Sequence, residues 1–281
     1  MRDFSTSHDA LSNNTATVRK QWPLDRIIDE CARRQIRAIS PWRDQVAAVG
    51  IARIERQLRD SGIKLSGYCR GGFFPAANPA GLRAALDDNR RAIDEAKRLD
   101  APCLVLVVGS LPGALGGTPA YLDIARARGE VRDGIAATLE YARDQAMPLA
   151  IEPLHPMQAA ERACINTLEQ ALDLCDELDP GRSGALGIAV DLYHVWWDPK
   201  LEAQITRAGA DTRSRKRPRD DGRRRHRTPK MPALDRRRGL FGLRRSRDLL
   251  RLLVAKARRG SARHLHRTAH ERRLNTPENK A

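Results

Sequence analysis

Six short apolar runs alternate with six longer amphipathic stretches between Leu11 and Ala208, and after Gly209 the alternation stops. That rhythm calls for parallel strands, because a parallel pair cannot be closed by a tight turn and needs a helix-length crossover. The predicted strands are 11–17, 37–41, 65–69, 103–108, 148–154 and 187–193. The first predicted helix is PLDRIIDECARRQ from Pro23, where Leu24, Ile27, Ile28 and Cys31 repeat at helical spacing and proline takes a first-turn position. The others span 45–62, 80–98, 119–146, 165–178 and 199–208. Six β-α units in unbroken order predict an α/β chain built as a (β/α)8-type TIM barrel that stops after about six units. A doubly wound sheet is disfavoured, since no Gly-x-Gly-x-x-Gly follows the first strand.

Charge divides the chain at the same place. Residues 1–209 hold 26 Lys and Arg against 28 Asp and Glu, whereas residues 210–281 hold 25 against 7. The formal net charge of +16 therefore belongs to a basic, irregular tail, 210–281, attached to a near-neutral partial barrel domain, 1–209. All five cysteines lie in the barrel part and none forms a C-x-x-C pair, which suits a reducing compartment and predicts a cytoplasmic address. The first residues lack an apolar signal core, and the longest apolar run, CLVLVV at 103–108, is too short to span a bilayer, so no membrane role is expected.

In such a barrel the catalytic side chains stand at the C-terminal ends of strands. Glu152 follows Leu149, Ala150 and Ile151; Asp191 follows Ile188, Ala189 and Val190; His194 comes three residues later. Two carboxylates on neighbouring strands with an imidazole nearby suit a divalent cation such as Mg²⁺ or Mn²⁺. The plain structural alternative is that these carboxylates cap helices or pair with arginines. After the third strand, Arg70 precedes Gly71 and Gly72, a guanidinium beside exposed backbone N–H groups that would suit a phosphate or an enediolate oxygen, or else an ordinary turn. Trp42 and His155 follow the second and fifth strands in equivalent mouth positions, as substrate contacts or as packing. No histidine of the barrel part forms an H-x-x-x-H or H-E-x-x-H pair, which disfavours a zinc hydrolase.

The segments LSNNTATV, SGYCRGG, AIEPLHP at 150–156 and AVDLYHVWWDP at 189–199 together resemble the sugar phosphate isomerase/epimerase family with the xylose isomerase-like barrel. The resemblance covers about residues 8–209. It implies an enzyme whose cofactor is a divalent metal (Mn²⁺, Mg²⁺ or Co²⁺), with Glu152 a metal ligand and one half of an acid/base pair. It also implies that Asp191 is a second ligand and that His194 contacts a substrate oxygen; His155, Arg70 and Trp42 remain candidate substrate contacts by their mouth positions alone. The implied partner is a small sugar, with a homo-oligomer left open. Family members complete the site with a histidine from strand seven and a glutamate from strand eight, and neither is found here. Asn13 stands where an apolar strand residue would be usual.

Three readings of the tail compete. Its cations could bind nucleic acid with strong salt dependence, the alternative function for the chain. LFGLRRSRDLLRLLVAKARR could form a basic amphipathic helix against a membrane or partner. The favoured reading is a shifted reading frame: one nucleotide later, codon degeneracy lets GLFGLRRSRDLL become GYSGFVEVEIFS, an apolar strand carrying a glutamate. Sequencing the gene across codons 205–281 checks this directly. A barrel ending after six strands would expose the edges of strands one and six, which predicts low solubility and weak metal binding.

Overall fold

The computed structural model describes residues 11–114, 117–214 and 251–253, with side chains described in 11–114 and 117–209. Its strands are β1 Ser12–Asn14, β2 Ala38–Ser40, β3 Lys64–Leu65, β4 Tyr68–Gly72, β5 Leu104–Val107, β6 Leu149–Ile151, β7 Leu186–Asp191 and β8 Arg251–Leu253. The helices are α1 Leu24–Arg33, α2 Arg43–Val49, α3 Ile51–Ser61, α4 Pro79–Arg98, α5 Ile124–Asp144, α6 Leu168–Leu178, α7 Leu192–Val195 and α8 Leu201–Ser214. Among the described residues the pairings of these strands are parallel, in the orders β1-β2-β3 and β4-β5-β6-β7-β8. β3 and β4 are two halves of one stave, because Cys69 N–H donates to Pro41 O at 3.0 Å and Tyr68 N–H to Cys103 O at 3.0 Å, so the wall passes from one group to the other.

The six predicted strands are all present, several of them shortened. The predicted helix 45–62 is two helices broken at Gly50, whose φ of 94° suits glycine and ends α2 before α3 begins. Side chains start the other helices where the chain needs them. Asn78 accepts from Gly81 N–H ahead of Pro79, Asp123 accepts from Arg126 N–H, and Thr167 and Gln170 form a capping box.

Strand side chains alternate between two apolar layers. Leu104, Leu106, Leu149, Ile151, Ile188 and Val190 face outward into one continuous core with helix residues such as Ile28, Ile54, Ile93, Ile135 and Leu168. Cys69, Cys103, Val105, Ala150 and Ala189 face inward and fill the barrel floor. Gly134 on α5 lets the buried Phe74 ring lie flat against the helix, since a Cβ there would stand 2.5 Å from Phe74 Cγ.

The described residues add two details at the C-terminal quarter. The sixth stave, β7, is not an open edge, because Ala189–Asp191 pairs in register with Arg251–Leu253. Those three residues, which the amphipathic-helix reading places in a helix, are extended backbone paired with the edge of β7. α8 runs through Gly209 to Ser214. The other readings of the tail fall outside the described residues. Among the described residues no helix is long and apolar enough to cross a membrane.

Candidate metal centre at the barrel mouth

Strand alternation delivers the carboxylates to the lumen. Along β6, Ala150 faces the floor and Ile151 the helices, so Glu152 returns to the interior one level higher; along β7, Ala189, Val190 and Asp191 repeat the pattern. Asp191 Oδ1 accepts from Tyr193 N–H at 2.8 Å, which opens the single turn α7 and carries His194 back over the mouth. The capping alternative is thus part of the answer, and it occupies one oxygen of Asp191. Arginine pairing is not: among the described residues neither Glu152 nor Asp191 forms an ion pair with an arginine.

His194 is oriented by main chain. Its Nδ1 accepts from His155 N–H at 3.2 Å, which leaves Nε2 as the other ring position. Trp197 Nε1–H donates to His194 O at 2.9 Å and anchors the turn. One ligand atom from each of Glu152, Asp191 and His194 lies within 4.8 Å of the other two. Among the described residues no further His, Cys, Asp or Glu joins them. Atoms this close reach a common centre at metal-ligand distances of about 2.0–2.6 Å after small side-chain rotations.

The electrostatics fit a cation. Glu152 is 9% exposed and Asp191 7%. Burial, and then the charge of Asp191, push the Glu152 carboxyl up to about 8, with Arg70 opposing. Burial raises Asp191 too, against the Tyr193 N–H. Burial and then His155 push the His194 imidazole down to about 4, so at neutral pH it is the uncharged form that metals require. Two crowded carboxyls that resist sharing negative charge, beside a neutral imidazole, form a donor set that a divalent ion would relieve. Oxygen donors with one nitrogen accept Mn²⁺, Mg²⁺, Co²⁺ or Zn²⁺.

The remaining predicted residues divide. Arg70 is the extra residue of a bulge, since Cys69 pairs with Val105 and Gly71 with Leu106. Its guanidinium lies 4.9 Å from the Phe73 ring and 6.0 Å from the Trp42 ring. Trp42 is fixed by its Nε1–H to Asn14 Oδ1 at 3.1 Å. The imidazole of His155 is not among the clustered groups: its Nδ1 accepts from Met157 N–H at 3.2 Å and its ring stacks 6.3 Å from that of Trp196. Gly71 and Gly72 are buried strand residues rather than a turn, and Gly72 N–H is not exposed but taken by Asn89 Oδ1 at 2.7 Å. Asn89, which also donates to Gly72 O at 2.7 Å, was missed by sequence reasoning, as was Asn14. A lone amide in the apolar stripe of α4, beside Ala92, Ile93 and Ala96, was the available signal for Asn89.

A crystallographically solved protein of Sinorhizobium meliloti 1021 is 54% identical to this chain, with a TM-score of 0.67 over 73% of this chain and 70% of that one. Two more distant structures share the fold: an IolI protein with a bound zinc atom and D-psicose 3-epimerase from Clostridium cellulolyticum H10 with D-tagatose. The first is 15% identical, with a TM-score of 0.60 over 72% of this chain and 69% of that one. The second is 13% identical, with a TM-score of 0.57 over 71% and 69%. No curated protein sequence matches the chain. The family model described as the xylose isomerase-like TIM barrel matches residues 27–230, and with the parallel barrel wall and the 54% identical relative, it follows that this chain belongs to that family.

Proposed function

We propose that the chain is a metal-dependent isomerase or epimerase of a sugar or sugar phosphate, working by proton transfer through an enediolate. The observation that carries this reading is the meeting of Glu152, Asp191 and His194 at the barrel mouth. A divalent cation bound there would supply positive charge beside the two substrate oxygens that become the enediolate. Glu152 and Asp191 would hold it, with His194 as a third ligand or as the contact to a substrate oxygen. Glu152 also removes and returns the proton on the carbon next to the carbonyl, a task suited to a carboxyl whose affinity for protons is raised toward neutrality. Trp42 and Arg70 border the substrate, and His155 positions His194 through its N–H. The zinc of the IolI structure and the ketose of the epimerase structure support the reading by analogy of fold.

One carboxyl acts on one face of the enediolate. With Glu152 the acid/base group among the described residues, the expected reaction is exchange of that proton with solvent, faster than net conversion to the epimer. Incubating the protein with Mn²⁺ and a panel of ketoses and aldoses in D₂O, followed by NMR, tests this; deuterium should enter beside the carbonyl, and Glu152→Gln should abolish it. Absence of exchange with every sugar in Mn²⁺, Mg²⁺, Co²⁺ and Zn²⁺ overturns the proposal. The division at residue 209, with a tail from a shifted frame, belongs to the same reading, and the nucleotide sequence decides it.

A further inference from the structure

Arg70 and Arg43 make an instructive pair, because both are arginines at the mouth end of the barrel and both are largely withdrawn from water. Arg43 is saturated: it donates to Glu95 at 2.9 and 3.2 Å and to Asp88 at 2.7 and 3.1 Å, and Tyr68 completes the group through Glu95. Arg70 has aromatic faces but, among the described residues, no acceptor. Among the described residues its guanidinium donates no hydrogen bond and forms no ion pair, although it carries five N–H donors. A half-buried guanidinium with unused donors costs stability unless something outside the chain satisfies them.

Three features hold Arg70 in that state. The bulge between Cys69 and Gly71 inserts it as an unpaired residue, which re-aims its side chain at the end of the strand. Phe73 keeps a left-handed φ of 65°, unusual for a bulky residue, and is 44% exposed while its ring faces the guanidinium. The charge of Arg162, an exposed residue of the loop after β6, repels Arg70, while Glu152 and Asp44 attract it without pairing with it. A guanidinium held against aromatic faces with its N–H donors unused forms a receptor for an anion.

We infer that Arg70 binds an anionic group of the substrate, a carboxylate or a phosphate, so that the substrate is an acidic sugar derivative rather than a neutral sugar. This rests on the proposed function in placing the reacting carbon at Glu152. The charge of Arg70 is felt at Glu152. β4 lies two strand spacings from β6, roughly 10 Å. That gap is bridged by the two side chains and a short carbon chain carrying a carbonyl at one end and the anion at the other. The fork of an arginine grips either anion through two parallel N–H bonds, which a lysine cannot copy.

The test is calorimetric titration of the full chain and of R70Q and R70K with inorganic phosphate, D-gluconate and D-fructose, and separately with Mn²⁺. The basic tail is common to all three proteins, so its contribution cancels in the comparison. Wild type is expected to bind phosphate or gluconate, R70Q to lose at least about tenfold and R70K to fall between them. D-fructose binding should fall less in R70Q than anion binding does, and Mn²⁺ binding should persist. Preference for phosphate identifies a phosphoryl group and preference for gluconate a carboxylate. Equal anion binding by wild type and R70Q, or none in wild type, overturns the inference. Arg70-dependent anion binding without Mn²⁺ binding would instead sink the proposed function and leave this inference standing.

Discussion

Two residues of strand separate the floor of this barrel from its mouth, and the chemistry inverts across that distance. Ala150 and Ala189 lie among Cys69, Cys103 and Val105 in a floor of small apolar groups, whereas Glu152 and Asp191, one alternation higher, are buried carboxyls that crowd one another. The floor and the outer layer repay their burial in water released. The mouth repays nothing until a ligand arrives. The difference teaches where stability and function divide: substitutions in the walls should cost folding, and substitutions at the rim should cost binding while sparing or even helping the fold.

The largest expected effect lies in the wall. Phe74→Ala removes a fully buried ring packed on Gly134 and should cost about 3–5 kcal/mol in urea unfolding, with the affinity of the surviving folded protein for Mn²⁺ intact. At the rim the signs reverse. Glu152→Gln should reduce Mn²⁺ affinity more than about 100-fold by calorimetry, beyond the range seen for outer-sphere partners, while the metal-free protein at pH 8 melts no lower than wild type. A melting temperature that falls as far as that of Phe74→Ala would erase the distinction between wall and rim.

Titration sharpens the same contrast. The Glu152 carboxyl titrates near 8 in the fold and near 4.5 in an unfolded chain, so the fold holds a proton that unfolding releases. Its contribution to stability is full below about pH 4.5 and is lost as pH rises through 8, by up to a few kcal/mol in metal-free protein. Chemical denaturation across that window, with EDTA and then with Mn²⁺, should show a decline that the metal removes. Metal binding at pH 7 should also release about one proton, read from heats in buffers of different ionisation enthalpy.

A smaller effect separates side chain from backbone at His155. Its N–H orients His194, and its φ of −52° is one that proline can adopt. His155→Pro should therefore weaken Mn²⁺ binding by about tenfold, and His155→Ala by much less, since alanine keeps the N–H. Equal losses in the two variants would assign the effect to the imidazole instead.

Much of this was legible in the chain because it is local. Apolar runs of strand length between amphipathic stretches specify parallel β-α units, and a carboxylate just past an apolar strand marks the mouth; both Glu152 and Asp191 were found that way. His155 stands in a mouth position for the same reason, but the group that reaches His194 is its amide, which no side-chain pattern reveals. Nor could β8 be anticipated: Arg251–Leu253 carries no strand signal, and its pairing with Ala189–Asp191 depends on an edge that exists once β7 is in place. Arg70 stands beside two glycines whose sequence suggests a turn, whereas the bulge in β4 is what sets it apart from acceptors among the described residues.

By itself the amino-acid order determined the repeat of strand and helix, the two faces of each strand and the level at which acidic side chains emerge, because these follow from periods of two and 3.6 residues. Tertiary structure alone decided which of those side chains meet. Lining six staves around a narrow floor brings Glu152, Asp191 and His194 within 4.8 Å and leaves Arg70 at the end of β4 against aromatic rings, and those distances are set by strand stagger and helix packing across residues far apart in the chain.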